Sequence, residues 1–201
     1  MAEDISTYIE ALIYDRTQAD VDYLYEVKDR LQRKVAIPGQ DGAAWLTDLK
    51  GAYNASDLNR VSLATEKLGE YMADVEDELT AYRLAHRVGA SAANDMPYAS
   101  ADIITHAKTD WTEADIPTHE QGQNYTGDVQ LLRDCAEALL GADAPEVPNI
   151  NGLTWDGAND IENLLRLIYE AVTAADPVKR GIIDRTAACL DYTGLLTCGG
   201  V

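Results

Sequence analysis

Asn54, Asp57, Asn59 and Arg60 stand close together in the stretch "AYNASDLNRVSLATEKL". Two amides, a carboxylate and a guanidinium at that spacing could bind a polar ligand or move a proton if a coil held them. Other candidates for chemistry are sparse. His86, His106 and His119 are the only histidines, and none falls in an HExxH pair. No GxSxG elbow supports a serine nucleophile, and no GxGxxG or GxxxxGK[ST] loop cradles a phosphate. Cys135 falls between Leu132 and Leu139 and reads as core, while Cys189 and Cys198 lie near the end of the chain.

Acids are abundant, so glycoside hydrolysis is the enzymatic reading to weigh. It needs two positioned carboxyls in a cleft, usually beside aromatic sugar platforms. The densest acidic run, "ADVEDELT" at 73–80, falls instead on the expected exposed face of a helix. Asp95 and Asp102 sit in a loop whose oxygens offer Ca²⁺ weak ligands at best, because the spaced D-x-[DN]-x-[DN]-G pattern is missing. The sequence therefore reads as no enzyme, with no cofactor and no metal.

Sixteen Lys+Arg against 35 Asp+Glu give a net charge of −19 over 201 residues. Such a field repels phosphate backbones and anionic membrane surfaces, so neither nucleic acid nor a membrane is an expected partner. The opening "MAEDISTYIEALIY" lacks a basic n-region, and no apolar run approaches a membrane span. A soluble protein made in a cytoplasm is the expectation. Phe is absent and Tyr occurs eleven times; tyrosine, apolar with a polar tip, suits surfaces buried on assembly.

The elements that must position these residues are mainly helical. Ile5, Tyr8, Ile9, Leu12 and Ile13 keep a helical stripe, "DRT" interrupts it, and Thr17 caps a continuation through Val21, Leu24, Val27 and Leu31. "AAWLTDLK" at 43–50 reads as a short helix. Asn54 caps a long helix to about residue 88, with Leu58, Val61, Ala64, Leu68, Tyr71, Met72, Val75, Leu79 and Tyr82 on its apolar face. Residues 89–118 lack helical periodicity and read as an irregular connector. Thr118 opens a helix through Tyr125, Val129, Leu132, Ala136 and Leu139 that ends at Gly141, and a last helix spans roughly 156–175. The expected organisation is an N-terminal helical region (1–88), a connector (89–118), a C-terminal helical region (119–180) and a β-hairpin tail (181–201). In that hairpin "DYTG" supplies the turn, and Tyr192 faces Leu195, with Leu196 beside it. Cys189 then faces Cys198, where two free thiols fit a reducing cytoplasm better than a disulfide.

One opening recurs. Asp20-Val21-x-x-Leu24, Asp57-Leu58-x-x-Val61 and Asp160-Ile161-x-x-Leu164 match in type, each a first-turn acid followed by the start of a buried stripe. Trp45 precedes Asn54, Trp111 precedes Thr118, and Trp155 stands at the opening of the last helix. On a helix these assignments leave Asn59 and Arg60 on the outer face.

"IYDRTQADVDYLYEV", "LKGAYNASDLNRV", "KTDWTEADIPT" and "LTWDGANDIENLL" resemble phrases of small tail-module proteins of tailed phages and prophages of Gram-positive hosts. The resemblance spans about residues 12–170 in order. Two departures stand out: residue 62 is Ser where that pattern has Glu, and "HEQGQNYTGDV" keeps the cap without the "NR". What the resemblance implies is a non-enzymatic virion protein at the tail tip, baseplate or fibre attachment. Its partners would be other tail proteins and copies of itself about a threefold or sixfold axis. The interface candidates are Asn59, Arg60, Trp111, Tyr192, Leu195 and Leu196. The alternative is a receptor or cell-wall carbohydrate-binding module at the same tail, using Trp111, Tyr98 and the 89–118 loop.

Overall fold

The computed structural model describes residues 4–35, 49–86, 103 and 105–176. Among them are five helices: α1 (Ile5–Glu10), α2 (Gln18–Gln32), α3 (Ala55–His86), α4 (His119–Cys135) and α5 (Trp155–Ala175). The mainly helical expectation holds, and no strand occurs among the described residues. Residues 43–48 of the expected 43–50 helix and the C-terminal hairpin, with Tyr192, Leu195 and Leu196, lie outside the described residues, as does Tyr98; Leu49 and Lys50 are not helical.

The helix starts obey local chemistry. Thr17 and Asp20 form a reciprocal capping box at α2, with the Thr17 N–H donating to Asp20 Oδ2 at 2.7 Å. Asn54 and Asp57 do the same at α3, and Thr118 and Gln121 at α4. Each box satisfies N–H groups that the first helical turn leaves open. At α5 the Thr154 hydroxyl accepts from the Gly157 N–H at 3.1 Å. α4 ends at Cys135, short of the expected Gly141, because residues 136–140 close in turns.

One hydrophobic core collects Ile9 and Leu12 from α1 and its C-terminal turn, and Val61, Ala64, Leu68 and Met72 from α3. Tyr125, Val129 and Leu132 come from α4, and Ile161, Leu164, Leu165, Ile168 and Val172 from α5. Those from α3, α4 and α5 are members of the 3.6-residue stripes expected there; Leu58, Tyr71 and Leu139 from the same stripes are partly buried against the core. The two helical regions on either side of the connector therefore share a core and are not separate packing units. Gly69, an apparent weak point in α3, is where Ile103 packs: a Cβ there would lie 2.8 Å from the Ile103 side chain. Gly51 plays a tighter part, since a Cβ would lie 2.2 Å from the Asp20 carbonyl oxygen. Only glycine lets the lead-in to α3 approach the start of α2 so closely.

Candidate functional site

Four charged side chains meet inside the molecule. Arg16 and Glu162 are 3% and 0% exposed. The Arg16 Nη2 lies 2.9 Å from Asp57 Oδ1 and 2.8 Å from Glu162 Oε1. Arg60 pairs with the same two acids, reaching Glu162 Oε1 at 3.1 Å and contacting Asp57 still more closely. The Ile13 N–H donates to Glu162 Oε2. Two cations thus face two anions, the arrangement that burial of charge requires. Burial opposes the charge of Arg60, but its bonds to Glu162 and Asp57 outweigh that and hold its pKa above the ordinary value.

The cluster continues into aromatic residues. The Arg16 guanidinium sits 5.3 Å from the centre of the Tyr53 ring, and the Tyr53 hydroxyl is in short contact with that of Tyr125. Burial raises the pKa of both phenols, with the nearby Glu162 charge adding to the effect.

These positions correct the expectation for Asn59, Arg60 and Trp111. Arg60 belongs to the internal charge cluster. Asn59 donates from Nδ2 to the Trp111 carbonyl at 2.8 Å and accepts from the Trp111 N–H at 2.6 Å. Trp111 itself is 6% exposed, so its ring offers no flat platform to a sugar. Asn59 on the outer face of α3 is thus covered by the backbone of Trp111, and Arg60 by Glu162 of α5.

The same device appears a second time. Asn159 accepts from the Arg16 N–H at 3.0 Å and donates to the Arg16 carbonyl at 2.8 Å. Arg16 stands in Asp15-Arg16-Thr17-Gln18-Ala19-Asp20, and Trp111 in Asp110-Trp111-Thr112-Glu113-Ala114-Asp115. In both, the threonine N–H and hydroxyl donate to the last aspartate. Those bonds lower the pKa of Asp20 and of Asp115. Residues one hundred positions apart therefore correspond: the caps Asn54 and Thr154, the grips Asn59 and Asn159, the core residues Val61 and Ile161, Leu68 and Ile168. The expected register, which matched Asp57 with Asp160, is off by three, because Asp160 lies past the first turn of α5. Burial raises the Asp160 pKa, with Asp156 adding to it.

The grips cross over. α3 holds the loop that precedes α4, and α5 holds the loop that precedes α2, a reciprocity characteristic of twofold relations. The two grips differ where the charge sits. Arg16 and Glu162 at the α5 grip correspond to Trp111 and Ser62 at the α3 grip. The buried Trp111 Nε1 and Ser62 Oγ have no hydrogen-bond partner. Ser62 thus occupies on α3 the place that Glu162 fills on α5.

Comparison with protein-family models, curated proteins and solved structures finds no match.

A cleft of about 650 Å³ opens beside Trp111, between Tyr53, Tyr125, Ile150 and Leu153. Among the described residues no three His, Cys, Asp or Glu side chains converge as a metal site, and no helix is long and apolar enough to cross a membrane. Sequence reading missed Arg16, Asn159 and Glu162. The signal that finds the first is the repeated Asp-x-Thr-x-Ala-Asp, whose variable second position is the residue each asparagine grips.

Proposed function

We propose that the chain is a non-enzymatic structural or adaptor subunit of a phage tail, at the tip, baseplate or fibre attachment, acting by protein–protein assembly. One observation carries the reading. The polar groups that looked chemical are spent on holding the fold, while α2 leaves large apolar side chains outside: Tyr23 is 43%, Tyr25 63% and Leu31 47% exposed. Exposed aromatic side chains, here on both sides of a helix that buries only Val27, are the usual anchors of subunit interfaces. The order of phage-like phrases along the chain supplies the setting. The partners in this reading are other tail proteins and copies of the same chain.

The test combines Tyr23→Asp and Tyr25→Asp in the full chain and follows mass by light scattering and secondary structure by circular dichroism. The expected result is loss of self-assembly or of co-purification with tail components, with helix content unchanged. Unchanged assembly would remove α2 from the interface.

A further inference from the structure

Resting on that reading, we infer that two copies of the chain meet through α2, their α2 helices lying side by side and antiparallel. Among the described helices α1, α3, α4 and α5 pack on one another, whereas α2 makes no comparable packing with any of them. It buries only Val27. Tyr25, two residues from Val27 and therefore on the opposite side of the helix, is the most exposed of its aromatic side chains. Gln18, Tyr25 and Gln32 follow at seven-residue intervals, which on a helix makes one row, and all three are exposed.

Charge names the occupant of that row. Residues 18–35 hold four acids, Asp20, Asp22, Glu26 and Asp29, and four bases, Lys28, Arg30, Arg33 and Lys34. These cancel, while α1, α3, α4 and α5 are each net negative. For a second copy of a chain carrying −19, α2 is the helix approached against the least repulsion.

The charges are also sorted along the helix. Asp20, Asp22 and Glu26 precede Val27 with no base among them, and all four bases follow it with Asp29 as their one acid. Arg30 and Arg33 bond Glu26 and Asp29 along the helix, and Lys28 and Lys34 stand exposed beside them. A parallel pair would set acid on acid and base on base. An antiparallel pair sets each acidic half against a basic one, twice over. Exposed ion pairs add little affinity, so these charges select orientation, and Tyr25, meeting its counterpart near the twofold axis, supplies the apolar contact. Such a contact is isologous and closes at two copies, and three pairs about a threefold axis make six.

The test uses the full chain with Cys135→Ala, Cys189→Ser and Cys198→Ser, adding Gln18→Cys in one variant and Gln32→Cys in another. The two positions are about 21 Å apart along α2 at a rise of about 1.5 Å per residue, and in the antiparallel pair each lies against the other. The variants are prepared singly and co-expressed, treated with a short bis-maleimide and read on denaturing gels. Light scattering follows mass, and circular dichroism follows helix content. The expected result is a covalent dimer from the co-expressed pair and none from either variant by itself. Lys28→Glu with Lys34→Glu, which leaves no basic half, should abolish that dimer at unchanged helix content. Dimers from each variant by itself would mean a parallel pair and overturn the proposal. Oligomers with no cross-link from the co-expressed pair, or a trimeric mass, overturn it while leaving assembly through another surface intact. A protein that is monomeric throughout overturns both readings.

Discussion

Glu162 accepts from both arginines and from the Ile13 backbone, so its removal leaves the two cations to share Asp57 alone. Breaking a buried pair costs about 3–5 kcal/mol, and Glu162→Gln should lower the unfolding free energy by about that much in urea titration with an unchanged m-value. A loss near that of a surface substitution would mean the cluster is not closed in solution. Tyr53 and Tyr125 set the alkaline limit. Their folded pKa values are raised by burial, so the stability they contribute is present below the unfolded value of about 10 and is lost as pH rises through the raised folded values. Cooperative alkaline unfolding is expected, and Tyr53→Phe with Tyr125→Phe should move its midpoint to higher pH; an unmoved midpoint would clear the pair of that role. At this scale Asn54, Leu58 and Val61 were legible, because caps and apolar periods are local. Arg60 was not, since its partner Glu162 lies 102 residues away and no periodicity encodes which element covers a helix's second face.

Among elements, α3 and α5 do two jobs each. Their apolar stripes build the core, and their first asparagines hold a distant loop. Asn159→Ala should therefore raise amide exchange at Arg16 and Thr17 more than at Trp111 and Thr112, and Asn59→Ala should do the reverse. Equal effects of both variants on both loops would contradict the crossed grips. The capping box at α2 is a simpler case: Thr17→Ala should cost about 1 kcal/mol, measured by thermal or urea unfolding. The sequence showed that an opening recurs, yet matched it three residues out of register. First-turn acids drew the eye, while Asn59 and Asn159 look like ordinary surface amides until the loops they bind are seen. The apolar stripes of α3, α4 and α5 were readable because each keeps a 3.6-residue period, whereas the buried Ser62, Thr65, Asp128 and Glu162 were not, since a polar residue gives no sign of burial until its partner is placed.

For the whole molecule, charge and exposed apolar surface pull in opposite directions. A net charge of −19 makes copies repel at long range, while Tyr23, Tyr25 and Leu31 favour contact at short range. Screening weakens only the repulsion, over about 8–10 Å at physiological ionic strength. Assembly of a structural subunit built this way should strengthen as salt rises, whereas an interface held by surface ion pairs would weaken. The most direct measurement is light scattering behind size exclusion of the full chain, across protein and salt concentrations. The account predicts a discrete mass at a small multiple, three or six, of the 21.9 kDa chain, with the oligomer favoured by salt. A monomer at every protein and salt concentration would contradict self-assembly.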